Sequence, residues 1–379
     1  MCGLSMEHNG LFGAFRKLLY NAVVSKRLLG YVRSFQTACG VSAQGFPSNP
    51  VLHVLFSLAS TFGDEAFYTV ALPLCSWVLD LGLTRRLVFF WASTYYVGQA
   101  SKDWLRLPRP TAPAVRLEHQ YSAEYGLPST HTMGSLIPLF MVASHCWNSE
   151  GSIPLGWLFS CVAWSAAIAS SRLYMGVHSI PDIAAGYLLG GLLMVLWLVL
   201  GNTVDAFIVE NPWAWLVVAI GAGVAILAYP RPERWTNSYG DTALIIATAA
   251  GFLEGCCIAQ GQQGENSITV AVLESVHLIS SGRFQAYGWN SFCGDARRCL
   301  VGFMVLLPIR FVLKYACRSI MSQILERSPR WPETEVGRRH AVDIPSKTVV
   351  YGCMGFSARY FVPLLWLRLG LQVDGRCIQ

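Results

Sequence analysis

The stretch Ser171-Arg172-Leu173-Tyr174-Met175-Gly176-Val177-His178-Ser179-Ile180-Pro181-Asp182, running straight into the apolar segment 182–201, decides how this chain is read. A membrane span needs about 20 mostly apolar residues, and 182–201 supplies them. The charges gather at its entrance. A carboxylate four residues after an imidazole shares its face at a helix start, and Pro181 is tolerated in that first turn. Such an Asp holds one nitrogen of His178 as a donor and leaves the other as a lone-pair nucleophile or base. A structural His–Asp pair would have the same pattern, so the motif needs company.

Two further clusters stand at the ends of neighbouring apolar segments. One is Lys102-Asp-Trp-Leu-Arg-Leu-Pro-Arg109-Pro110, the other Pro128-Ser129-Thr130-His131. Alone, the first reads as snorkelling anchors at a span boundary and the second as an ordinary helix start. Together with Arg172, His178 and Asp182 they make a site for phosphoryl transfer, whose transition state needs its three equatorial oxygens neutralised. Lys102, Arg109 and Arg172 supply charge. Ser129 and the free N–H groups of the following helix supply directional bonds. His178 is placed to attack phosphorus, while His131 protonates the departing alkoxide and then activates water. The arrangement calls for no metal and no cofactor, since the cations take the part Mg²⁺ plays elsewhere.

Composition agrees with a chain living in lipid. Of 379 residues, 53% are hydrophobic and 13% charged, where a soluble protein carries about a quarter charged. The net charge of +6 is too small and dispersed for a nucleic-acid platform. Twelve Cys occur singly or as the pair Cys256-Cys257, without the spacing of a zinc or disulfide framework. The first ten residues include Glu7, His8 and Asn9 where a signal peptide would be apolar, so an internal span is expected to do the targeting.

Segments near 51–80, 87–104, 132–148, 153–172, 182–201, 213–229, 241–260, 299–317 and 347–370 have the length of spans. An all-α, multi-pass bundle of about eight or nine helices is therefore expected, with 261–298 and 318–346 as polar connections. Residues 11–35 place Phe12, Phe15, Leu19 and Val23 at helical spacing among Arg16, Lys17, Lys26, Arg27 and Arg33. A headgroup-level helix and a solvated basic helix both fit. The expected organisation is an N-terminal basic segment 1–50, a phosphatase core 51–205 and additional C-terminal helices 206–379.

In order and internal spacing the three clusters resemble the signature motifs of the type 2 phosphatidic acid phosphatase superfamily. The resemblance implies a helical-bundle phosphatase with His178, partnered by Asp182, as nucleophile, His131 as acid/base, and a phosphate pocket of Lys102, Arg109, Ser129 and Arg172, to which Thr130 adds its N–H. Thr130 departs from the Gly usual there, and a Ser-Thr-His version is similar to the sphingosine-1-phosphate phosphatase branch. Phe62-Gly63-Asp64-Glu65-Ala66-Phe67-Tyr68, Tyr125-Gly126-Leu127, Tyr229-Pro230 and Ser238-Tyr239-Gly240-Asp241-Thr242 extend that similarity. It implies a long-chain base phosphate as substrate and an endoplasmic reticulum membrane with the site facing the lumen. The positive-inside tendency of the N-terminal segment and the 318–346 connection points instead to the cytosol.

Several alternatives stay open from the residues themselves. Phosphatidic, lysophosphatidic and polyprenyl phosphates fit the same pocket, as does a lipid phosphotransferase or a non-catalytic carrier on this scaffold. Recognition of a sphingoid amine calls for a carboxylate near the pocket, for which Asp103, Glu118 and Glu124 are candidates. Asp64 and Glu65 are charges inside an apolar stretch, functional by default or paired with Arg310, Lys314 or Arg359. Glu254 has the same two readings.

Overall fold

The computed structural model describes residues 11–118, 123–148, 151–231, 234–261, 289–327 and 334–371. These form helices throughout, with no strand among the described residues beyond an isolated bridge between Val41 and Pro47. In chain order they are α1 (Leu11–Val23), α2 (Lys26–Ala38), α3 (Pro50–Thr61), α4 (Glu65–Val78), α5 (Leu81–Leu105), α6 (Thr130–Gly134), α7 (Ile137–Asn148), α8 (Leu155–Tyr174), α9 (Ile180–Glu210), α10 (Ala214–Ala228), α11 (Asn237–Gly261), α12 (Trp289–Glu326), α13 (Glu335–Arg359) and α14 (Phe361–Arg368).

By length and composition α9, α11 and α12 can each cross a membrane, and α3, α10 and part of α4 are shorter apolar helices. The exposed faces of α9 and α12 are those of helices bathed in lipid. Leu188, Leu192, Val195 and Val199 make one exposed stripe at helical spacing, and Leu300, Met304, Leu307 and Phe311 another. Helix α11 instead sits inside, with Leu244, Ile245, Phe252, Leu253 and Cys256 in a core shared with Phe90, Trp91 and Tyr95 of α5 and Phe140 of α7.

Small residues bring α11 and α13 backbone to backbone. A Cβ on Gly251 would lie 2.0 Å from the Gly352 carbonyl oxygen, and one on Gly355 would lie 2.2 Å from that of Thr248. Gly251 and Gly255 form the G-x-x-x-G spacing that permits such approach between helices in lipid.

Several expected segments are divided. The stretch 51–80 becomes α3 and α4, broken at Phe62-Gly63-Asp64, because Gly63 lies flat against the His131 ring, where a Cβ would stand 2.6 Å from Cδ2. The stretch 132–148 becomes α6 and α7. Ser135 caps the break, its hydroxyl donating to the Thr132 carbonyl at 2.6 Å. The stretch 347–370 breaks at Tyr360 between α13 and α14.

The polar connections are more helical than expected. Helix α12 runs on to Glu326 and α13 begins at Glu335, so most of 318–346 is helix. Asp295, Arg297 and Arg298 belong to the first turns of α12, where Arg298 pairs with Asp295 one turn away; Glu265, Glu274 and Arg283 lie outside the described residues. Charge does not oppose helix when such pairs satisfy it.

The N-terminal segment forms α1 and α2, docked on one end of the bundle. Arg16 Nε donates to the Leu105 carbonyl at 3.0 Å. Gln36 is fully buried, its amide donating to the Val115 and Tyr174 carbonyls at 2.6 and 3.0 Å. The docked end is the one on which the three clusters converge.

Candidate active site

The last turn of α5 delivers Lys102 and the following segment Arg109; α6 begins at Thr130; α8 ends with Arg172 in its last turn and α9 begins just after His178. Chain ends at one level of the bundle thus bring together side chains as far apart in sequence as Lys102 and Asp182. All of Lys102, Arg109, Ser129, Thr130, His131, Arg172, His178 and Asp182 are buried.

Arg109 Nη1 donates to the Val177 carbonyl at 3.0 Å and stands 3.3 Å from His178 Nε2. A guanidinium only donates, so Nε2 presents its lone pair toward the cations and Nδ1 carries the proton. Asp182 Oδ2 faces Nδ1 at 3.6 Å, longer than a hydrogen bond, and accepts from the Ser179 amide at 2.7 Å. The Asp182 carbonyl accepts the Ser129 amide at 3.0 Å, which ties the start of α9 to the start of α6.

The Ser129 hydroxyl is the N-cap of α6, accepting from the Thr132 amide at 3.4 Å and hydroxyl at 3.0 Å. Thr130 Oγ1 accepts from Lys102 Nζ at 2.9 Å. Its methyl group occupies the space opposite Gly98, where a Cβ would lie 2.8 Å from Thr130 Cγ2. A side chain in place of the usual Gly is thereby accommodated, Gly98 being one turn before Lys102 on the same face of α5.

His131 Nε2 lies 2.8 Å from Asp64 Oδ1. This contact answers the question raised by the charge at position 64: its partner is a histidine of the site. Arg310 Nε instead donates to the Tyr351 hydroxyl at 3.3 Å, the Glu65 side chain lies outside the described parts, and Glu254 is half-buried in α11. Tyr95, whose hydroxyl donates to the Gly63 carbonyl at 2.8 Å, and Tyr68, which donates to the Gly134 carbonyl at 2.9 Å, hold the two backbones on either side of the ring.

The loop carboxylates lie on the cations. Glu124 Oε2 accepts from Arg109 Nη2 at 2.9 Å and lies 3.9 Å from Lys102 Nζ; Glu118 Oε2 is 3.1 Å from Arg172 Nη1. Arg172 also donates to the Ser60 hydroxyl. Asp103 faces the C-terminal helices, accepting from the Tyr229 hydroxyl at 2.7 Å and that of Thr236 at 3.0 Å.

Burial, and then Arg109, Arg172 and Lys102, hold the His178 imidazole well below its ordinary value. His131 is lowered to about 4, by burial first and then by Arg172, with Asp64 opposing. Both imidazoles are neutral near pH 7, the form in which one can attack and the other accept a proton. Among the described residues no group of three or more His, Cys, Asp or Glu is arranged to hold a metal ion.

Sequence reasoning missed the roles of Asp64, Ser60, Tyr229 and Thr236. Asp64 carried a signal as a charge inside an apolar stretch, and Tyr229 stood in the Tyr229-Pro230 pattern of the resemblance; Ser60 and Thr236 carried none.

A family model described as the PAP2 superfamily matches residues 83–205. Sphingosine-1-phosphate phosphatase 1 of Mus musculus is 31% identical, over 86% of this chain and 74% of the relative. Sphingosine-1-phosphate phosphatase 2 of Mus musculus is 30% identical, over 90% and 96%. A dihydrosphingosine 1-phosphate phosphatase of Schizosaccharomyces pombe is 27% identical, over 96% and 95%. No solved structure matches.

Proposed function

The chain belongs to the PAP2 superfamily, and from that premise we propose that this phosphoric monoester hydrolase releases phosphate from sphingosine 1-phosphate and related long-chain base phosphates through a phosphohistidine. The relatives' names carry the choice of substrate. The chemistry rests chiefly on one observation: Lys102, Arg109 and Arg172 all act on the His178 imidazole, whose Nε2 lies 3.3 Å from Arg109.

The phosphate enters among the three cations, displacing Glu118 and Glu124, with the amides at the start of α6 adding bonds. Its negative charge offsets the cations that hold His131 low, so His131 takes up a proton. His178 Nε2 attacks phosphorus; the P–N bond forms as the ester P–O bond breaks, and the His131 proton goes to the alkoxide. Water then attacks phosphorus, His131 takes its proton, and the P–N electron pair returns to Nε2. Asp182 steadies the imidazole through Nδ1 as the bond forms, their separation shortening in the complex. The cations supply the charge stabilisation, and no metal enters the scheme.

We read about eight or nine spans from the expected segments, among which α9, α11 and α12 have the length and composition to cross a membrane. We read the site as lumenal in an endoplasmic reticulum membrane on the resemblance to the sphingosine-1-phosphate phosphatase branch, against the positive-inside tendency of the N-terminal segment and the 318–346 connection.

Phosphate release from sphingosine 1-phosphate, dihydrosphingosine 1-phosphate and phosphatidic acid in detergent, with EDTA present, tests the reading. Wild-type protein should favour the sphingoid substrates and His178→Ala should release none. Release by His178→Ala at the wild-type rate would remove the nucleophile, and equal rates on all three lipids would remove the substrate preference.

A further inference from the structure

In the proposed scheme His131 protonates the oxygen that leaves phosphorus, so that oxygen must come within hydrogen-bonding distance of the His131 ring. The carboxylate of Asp64 is already there, 2.8 Å from Nε2. In a sphingoid base phosphate the carbon next to the one bearing the leaving oxygen carries the ammonium group. With Asp64 on Nε2, the leaving oxygen takes the Nδ1 side of the ring, and the ammonium one carbon further on can turn toward the edge that Asp64 holds. A glycerol-based phosphate has no cation at that position.

We infer that Asp64 is the specificity-determining carboxylate that receives the ammonium of a long-chain base phosphate. The inference rests on the substrate reading above and names the group that would enforce it. The other carboxylates of the site are differently engaged. Glu124 and Glu118 lie on Arg109 and Arg172, Asp103 accepts from Tyr229 and Thr236, and Asp182 accepts from the Ser179 amide behind His178.

Asp64 is also accessible. Its side chain is 21% exposed while that of His131 is 4% exposed; Glu118 is comparably exposed at 19% but lies on Arg172, whereas Asp64 lies on the acid/base. The backbone beneath it is held in place. Gly63 is pressed against the His131 ring, and the Tyr95 hydroxyl donates to the Gly63 carbonyl at 2.8 Å. A carboxylate fixed beside the acid/base discriminates between substrates through its distance from the reacting atoms.

The test measures kcat/KM of purified full-length protein on sphingosine 1-phosphate, its N-acetylated counterpart and lysophosphatidic acid. N-acetylation removes the positive charge and leaves the phosphate and the chain. Wild-type protein should lose roughly tenfold or more on the N-acetylated lipid, the usual cost of removing one partner of a close charge pair. Asp64→Asn should lower sphingosine 1-phosphate turnover at least tenfold more than it lowers the other two, and Asp64→Glu should restore part of the preference.

An equal loss on all three lipids would leave Asp64 acting only through His131 and overturn the inference. So would a wild-type enzyme indifferent to N-acetylation, a result that stands even if Asp64→Asn fails to fold. Wild-type protein that releases phosphate from none of the lipids would instead overturn the substrate reading on which the inference rests.

Discussion

Arg85 and Lys102 stand about 25 Å apart along α5 at the ordinary helical rise, and each end of the helix buries cations against carboxylates. At the Arg85 end the partners are helix-borne. Asp205 of α9 accepts from Arg85 Nε at 2.5 Å and Nη2 at 2.9 Å, Arg86 Nη1 lies 4.0 Å from the same carboxylate, and Arg86 Nε donates to Ser144 of α7 at 3.1 Å. At the Lys102 end the partners Glu118 and Glu124 come from the connection between α5 and α6. The first pair cannot separate unless α5 moves against α9. The second can separate when a loop yields, and an anion can then take its place. Similar chemistry serves cohesion at one end and, in the proposed function, binding at the other.

The largest expected effect falls on the site end alone. His178→Ala should lower phosphate release by about 10⁴-fold or more while the thermal unfolding profile in detergent stays that of wild type; a large drop in unfolding temperature would show that the imidazole also holds the fold. Next, Arg109→Ala should lower kcat/KM by about 10²–10³-fold, as loss of a transition-state donor does. Arg85→Ala should do the opposite, costing about 3 kcal/mol of stability by stranding Asp205 with turnover per folded molecule nearly unchanged. If Arg85→Ala removes activity from protein that remains folded, the two ends are coupled and the contrast fails.

A smaller change tests whether the loop glutamates compete with phosphate. Glu124→Gln should tighten inhibition by orthovanadate, a phosphate look-alike, by roughly threefold to tenfold, since it exchanges a charge-assisted bond to Arg109 of about 1.5–3 kcal/mol for a neutral one of about 0.5–1.5 kcal/mol. Unchanged or weaker inhibition would make Glu124 a support for Arg109 only.

A further effect is on stability against pH. The unfolded chain takes up a proton on His131 below its ordinary 6.5, whereas the folded site refuses it until about 4. The unfolded state therefore binds more protons in that window. The stability this contributes is full above about 6.5 and is lost as pH falls toward 4. His131→Asn should flatten the decline in unfolding temperature over that range, and an equally steep decline in the variant would assign it to other groups such as His178.

Much of the site was legible because its residues stand at helix ends. His178 and Asp182, four apart across a helix start, needed only helical geometry to face each other, at 3.6 Å, and Lys102 and Arg109 needed only a span that ends between them. Asp64 was visible as a misplaced charge, but its partner is 67 residues away in sequence, and nothing local selects His131 over Arg310 or Arg359. Gly98 gave no signal at all; its part appears only when α6 lies across α5 and Thr130 needs room. The division of 51–80 into α3 and α4 was signalled in part by Asp64 and Glu65 inside the apolar stretch, Asp64 standing at the N-cap of α4, while the contact of Gly63 with the His131 ring appears only in the packing.

Composition, apolar periodicity and three short motifs were enough to determine an all-α chain suited to lipid and to single out the residues, from Lys102 to Asp182, that the structure gathers at one end of the bundle. These depend on forces that act within a turn or a span of helix. The tertiary structure decided which carboxylate meets which base: Glu124 on Arg109, Glu118 on Arg172, Asp64 on His131 and Asp103 on Tyr229 and Thr236. One buried carboxylate is interchangeable with another as a charge, and only the packing of α3, α4 and α11 around α5, α6 and α9 sets the distances that tell them apart.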